Sequence, residues 1–157
     1  MEDPPARITR SRALSYAIAV SDTAGLVGSL DPFSQFMVPE ARKEMEKAVN
    51  LYPKEPEYIC YLAWTMFKGA KDQAEKEQAK KMVLKSLQMN PDLDKAHFFL
   101  GSILKDEGKE KEAEKRFERA IQCNPNNTEA LRELRLFQMR KPTSGKAASL
   151  LGKMFKK

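Results

Sequence analysis

Few side chains in this sequence could carry out covalent chemistry. His97 is the single histidine, and Cys60 and Cys123 are the only two cysteines in 157 residues. General acid–base, nucleophilic or metal-assisted catalysis needs such groups set beside a base, a carboxylate or one another. The two thiols are far apart in sequence and no CxxC occurs, so neither a zinc-ligand set nor a disulfide framework is indicated. Carboxylate pairs such as Asp106-Glu107 lie in stretches that read as charged helix surfaces, and no glycine-rich phosphate loop is present. The expectation is a protein that is not an enzyme, with no catalytic residues, no metal site and no cofactor.

Composition narrows what the chain can be. A length of 157 residues suits one compact domain, and 41% hydrophobic residues are enough for a core. Charged residues at 32% with seven glycines favour helices over a barrel or sandwich. The formal charge of +6 invites a nucleic-acid reading. However, the cations alternate with acids, as in Lys109-Glu110-Lys111-Glu112 and Glu114-Lys115-Arg116, and no basic stripe interleaved with stacking aromatics appears. The expectation is therefore no nucleic acid. The excess positive charge sits at the two ends. Two free thiols fit a reducing compartment. No apolar run reaches the roughly twenty residues a membrane span needs. Ala13 to Val20, behind Arg7, Arg10 and Arg12, imitates a signal peptide but is short and lacks a cleavage site. These features place the chain in the cytoplasm, with membrane contact not expected.

The elements that could position a binding surface are helices, and they repeat. Between Asp94 and Asn127, the residues His97, Leu100, Gly101, Leu104, Ala113, Phe117, Ala120 and Pro125 form a spaced pattern in which Gly101 and Ala120 are small enough for two helices to approach closely. The pattern resembles the tetratricopeptide repeat, W-x2-L-G-x2-Y followed by A-x3-F, a small residue and a proline. His97 stands in the tryptophan slot and Leu104 in the tyrosine slot. Upstream, Ile59, Leu62, Ala63 and Met66 reproduce the first helix, and Ala79, Val83, Ser86 and Pro91 the second. Met66 to Ala79 is 13 positions against 9 from Leu104 to Ala113, so four extra residues fall within Lys68 to Gln78, in the turn or as extra helix.

Still further upstream, Ala41, Met45, Ala48 and Pro53 match a second helix, with Pro39 placed as a first-turn proline. Its partner first helix is not recognisable, because Gly25, Gly28 and Leu30-Asp31-Pro32 break the segment 22–38. Arg12 to Ser21 is the better helix candidate there. Downstream, Thr128 to Lys141 reads as a helix capped by Asn127, and Arg135 falls where a next repeat needs a small residue. The expected fold is all-α, a helical-hairpin solenoid of tetratricopeptide type. It has an N-terminal segment 1–38 with one helix at about 12–21, a half repeat 39–55, repeats 56–93 and 94–127, and a capping helix 128–141. A flexible, basic, amphipathic tail follows at 142–157, with Leu150, Leu151, Met154 and Phe155 among lysines.

The resemblance implies a function. Hairpins that cannot bury both faces alone stack, and their first helices line a concave surface that takes segments of partner proteins. Carried onto this chain, that surface would hold Glu57, Cys60, Tyr61, Trp64, Phe67 and Lys68, then Lys95, Phe98, Phe99, Ser102 and Lys105, then Arg132, Leu136 and Met139. Aromatic and basic residues in one groove suit a peptide or helix with apolar anchors and some negative charge. Trp64, the only tryptophan, and Phe98 are expected as anchors, with Lys68, Lys95 and Lys105 as charge guides. Tyr61, Phe67 and Phe99 also read as core. The carboxylate clamp of the members that hold heat-shock chaperones is not expected, because its positions are Cys60, Trp64 and Phe99 here and only Lys95 has the right character.

Alternative readings are a self-associating structural component, built as a homodimer through the N-terminal segment, and a membrane-surface adaptor acting through the tail. Phe33, Phe36 and Met37 could also fill the groove. A further likeness, to the C-terminal repeat region of bacterial multidomain proteins with a J-domain or signalling module, rests on Glu55-Pro56-Glu57-Tyr58, Leu62-Ala63-Trp64, Leu134-Arg135-Leu136 and the Leu-Leu-Gly-Lys tail. It implies a fragment or an adaptor.

Overall fold

The computed structural model describes residues 32–140, with side chains from residue 38 onward. Six helices follow one another: α1 (Pro32–Leu51), α2 (Pro56–Gly69), α3 (Gln73–Met89), α4 (Asp94–Asp106), α5 (Glu110–Cys123) and α6 (Thr128–Arg140). Among the described residues there is no strand. Helices α2 and α3 pack as one hairpin and α4 and α5 as the next, while α1 packs on α2 and α6 on α5. The hairpins meet through α3 with α4 and α2 with α4, which makes a single solenoid with a continuous core.

The local sequence explains where the helices start and stop. Asp72 caps α3 by accepting from the Glu75 amide at 2.8 Å, and the Glu75 carboxylate accepts from the Lys71 amide at 2.8 Å. The first bond satisfies an amide that a helix start leaves without an intrahelical partner, and the second ties the preceding turn to the helix. Asn127 caps α6 in the same way, through the Ala130 amide at 2.9 Å. Gly108, with φ at +76°, ends α4 in the left-handed conformation and lets the Lys109 amide return to the Leu104 carbonyl at 2.9 Å. Asn90 and Asn124, both before a proline, accept from the amides of Asp92 and Asn126 and so make the same turn after α3 and after α5.

The four extra residues do not enlarge the turn. Both hairpins turn in three residues, 70–72 and 107–109, whereas α2 and α3 have 14 and 17 residues against 13 and 14 in α4 and α5. Alanine, glutamate and lysine around 74–80 are good helix formers, so the insertion propagates as helix.

The start of α1 differs from the expectation that Pro39 opens it and that 22–38 is broken up to residue 38. The helix begins at Pro32, and Pro39 lies inside it. An internal proline removes one backbone hydrogen bond. That loss is offset by packing: Ala41, Met45 and Ala48 are buried on one face, and Val38 presses on Gly69 of α2, where an added Cβ would come within 3.0 Å of its Cγ1. Pro32, at the first helical position, has no hydrogen bond to lose. The helix expected at about 12–21 and the tail 142–157 lie outside the described residues.

One contact sets the spacing of the α4–α5 hairpin. A Cβ on Gly101 of α4 would stand 2.7 Å from the Phe117 ring of α5, which is fully buried. Glycine is therefore required for close approach, although it weakens the helix by about 1 kcal/mol relative to alanine. Gly101→Val should lower stability by about 1–3 kcal/mol through overpacking, read as a lower urea midpoint with helicity retained at zero denaturant.

Candidate protein-binding groove

The first helices α2, α4 and α6 carry the candidate residues. The structure gathers the aromatic ones into a single stack. Trp64 lies flat on Phe99 at 4.6 Å and 8° between planes, and on Phe67 at 5.7 Å and 19°. Tyr61 meets the edge of Phe99 at 5.6 Å, and Phe98 tilts against Trp64 at 6.2 Å. The chain of rings continues from Phe98 to Phe117 at 5.8 Å and from Phe117 to Phe137 at 6.0 Å, so it crosses α2, α4, α5 and α6. Offset and tilted ring pairs of this kind add about 0.5–1.5 kcal/mol each beyond the burial of their area.

Burial changes the meaning of several of these residues. Trp64 and Phe98, expected as exposed anchors, are 2% and 4% exposed. Tyr61 and Phe99 are also buried and Phe67 is half-buried. These side chains form the floor of the first-helix face and are not presented on its surface. The reason is that wide rings on neighbouring first helices meet one another before they meet solvent, which sequence spacing alone does not reveal. Trp64 Nε1 is buried without a hydrogen-bond partner, and the Lys68 ammonium sits 5.2 Å from the centre of the indole ring.

The charge guides are altered in the same way. Lys95 pairs with Glu129 at 2.8 Å and Lys105 with Glu133 at 2.6 Å, each joining α4 to α6. Burial by itself would raise the Glu129 carboxyl, but the hydrogen bond and charge of Lys95 outweigh it and hold the group below the usual carboxylate range. Two of the three expected cations are thus neutralised inside the scaffold, and Lys68 stays exposed. What the face presents to solvent at its far end is Arg132, Leu136 and Met139, the last 82% exposed, with half-buried Ser102 between.

Glu129, Glu133 and Phe137 were not among the expected site residues. Their signal was in the sequence: Glu129 stands 34 positions after Lys95, one repeat on, so opposite charges fall on neighbouring first helices.

The reactive side chains are committed to packing. Burial pushes the Cys60 thiol far up, and burial also raises Cys123, so neither is an activated nucleophile. His97 donates from Nε2 to the Pro91 carbonyl at 2.8 Å, while its Nδ1 is buried without a partner. Burial lowers its pKa and keeps the imidazole neutral. Among the described residues no group of three or more His, Cys, Asp and Glu side chains could hold a metal ion, and no helix is long and apolar enough to cross a membrane.

Residues 94–127 match the tetratricopeptide repeat family model. Solved structures share the helical-hairpin fold. The fold is that of a tetratricopeptide-repeat array. The first tetratricopeptide-repeat domain of human RPAP3 is 24% identical, with 81% of this chain and 90% of that one covered and a TM-score of 0.56. The first such domain of Spaghetti (RPAP3), solved bound to the HSP90 peptide SRMEEVD, is 23% identical, with 82% and 92% covered and a TM-score of 0.54. The tetratricopeptide-repeat domain of Sgt2 from Aspergillus fumigatus is 18% identical, with 88% and 80% covered and a TM-score of 0.60. No curated protein matches the chain in sequence.

Two outcomes follow from this placement in the array. Trp64→Ala should cost about 3–5 kcal/mol, as for other large core aromatics, and appear as a large fall in denaturant midpoint. A change of a few tenths would mean that the indole is not part of the core. His97 has a folded pKa below its unfolded value of about 6.5, so the stability gained by keeping it neutral is complete above that value and is lost as pH falls through it. The melting temperature should therefore drop between pH 7.5 and 5.5, and His97→Phe should flatten that drop.

Proposed function

We propose that the protein is a non-catalytic adaptor whose first-helix face takes a segment of another protein. The observation that carries this reading is the far end of that face, where Arg132, Leu136 and the 82% exposed Met139 project from α6 above a rigid floor. The rings beneath and the Lys95–Glu129 and Lys105–Glu133 bridges hold α4 and α6 in fixed relation. A preformed surface loses little entropy on binding. Methionine adapts to apolar side chains of different shape, and Arg132 favours an acidic neighbour.

The Spaghetti domain, solved bound to the HSP90 peptide SRMEEVD, supports an acidic segment as the kind of partner. Holding a terminal carboxylate by clamping cations is not supported here. Cys60, Trp64 and Phe99 are buried, and Lys95 is already engaged by Glu129. The partner segment that fits best has one or two apolar residues flanked by acidic ones, in the interior of its chain. Trp64 and Phe98 act in this reading by supporting the surface, and Phe67, Lys68 and Ser102 border it. The bacterial multidomain likeness would make the chain one module of a larger protein. The self-association and membrane readings rest on residues 1–38 and 143–157, nearly all outside the described residues.

The test is affinity capture from native lysate with the wild-type chain beside Arg132→Glu/Met139→Glu, two surface changes that should leave the folding stability within about 1 kcal/mol of the wild type. A specific protein retained by the wild type and lost by the variant supports the surface as the binding site. Equal capture by both chains would overturn it.

A further inference from the structure

The last described helix is built as the first half of a hairpin. Every position of α6 corresponds to one of α4 at a spacing of 34: Leu131 to His97, Leu134 to Leu100, Arg135 to Gly101 and Gln138 to Leu104. On α4 those four residues are buried, with Gly101 lying directly against Phe117 of α5. On α6, Arg135 and Gln138 are exposed and Leu131 is half-buried. Thr128, Leu131, Arg132, Arg135 and Leu136 line a shallow cavity of about 340 Å³ on that helix.

The same spacing continues beyond α6. Ala113, Phe117 and Ala120 of α5 correspond to Ala147, Leu151 and Met154. The connection also has the right length, since Asp106 to Ala113 and Arg140 to Ala147 are both seven positions. Lys141-Pro142-Thr143-Ser144-Gly145 has the composition of a turn with a helix cap. After it, Ala147, Leu150, Leu151, Met154 and Phe155 fall at i, i+3, i+4, i+7 and i+8, the apolar stripe of an amphipathic helix. A helix this short is marginal in water unless it packs on something.

We propose that residues 141–157 dock in cis on the open side of α6, as the second helix of an incomplete third hairpin. Two substitutions make the docking weaker than in the hairpins before it. Arg135 stands where Gly101 leaves no room even for a Cβ, so the helix is held further out, and Leu151 brings a smaller side chain than Phe117. The segment 141–157 carries no acidic side chain and five lysines, and it would lie near Arg132 and Arg135. Like charges oppose the contact, and salt weakens that opposition. Docking of 141–157 on α6 therefore has a salt dependence opposite to that of a basic tail held on an anionic membrane.

Amide hydrogen exchange on the full chain tests this. The α6 amides at 128–140 should exchange about tenfold faster in Leu151→Asp/Phe155→Asp than in the wild type. Amides of α2 and α4 should be unchanged, which confirms that the variant is folded. Arg135→Ala should slow exchange of α6 and of 147–155, and raising salt from about 20 to 300 mM should do the same in the wild type. Equal α6 exchange in the wild type and the double variant overturns the proposal. So does protection that rises with protein concentration, which would place a second copy on α6. Protection of 147–155 seen only with phosphatidylserine vesicles, and lost on adding salt, overturns it in favour of the membrane.

Discussion

The stack of Trp64 on Phe99 is the interaction on which the array depends. Each hairpin of this chain is short, and neither can bury its own apolar residues completely. The indole of one first helix lying flat on the phenyl ring of the next joins the two cores. Phe98, Phe117 and Phe137 then carry the contact to the last helix. Because rings are stiff and wide, they fix the relative placement of α2, α4 and α6 more firmly than aliphatic side chains would. Any surface built on those helices inherits that rigidity.

The close contact of Gly101 with Phe117 complements the stack from within a hairpin. One contact requires the absence of a side chain and the other requires the largest one. Together they leave α4 little freedom, so its exposed positions have a defined geometry. Charge is used in the same economical way. Lysines that look from sequence like a field for an acidic ligand are joined to glutamates of the next first helix, as Lys95 and Lys105 show, and Lys80 is likewise joined to Glu107 in the next turn. Pairs that are only partly solvated keep more of their Coulomb energy than surface pairs do. Of the three lysines expected as charge guides, Lys68 is the one that stays exposed.

Much of the fold was legible because the signals are local or periodic. The spacing of His97, Leu100, Gly101, Ala113, Phe117 and Ala120 states which faces pack and where the chain must turn. Asn90, Asn124 and Asn127 encode their own hydrogen bonds. The start of α1 was not legible, because a proline inside a helix is overruled only by packing against α2, a distant segment. The candidate site was legible in membership but not in exposure. Tyr61, Trp64, Phe98 and Phe99 do come together, yet as a floor, since whether a ring points at solvent depends on what stands opposite it on another helix.

By itself the sequence determined the helical class and the hairpin period, because each follows from residue type and spacing along one chain. Only the tertiary structure decided that Trp64 and Phe98 are buried, that Lys95 and Lys105 are paired, and that Met139 is left in water. Burial and pairing are properties of two or more helices at once. They appear only when the stacking of rings has set how far apart those helices lie.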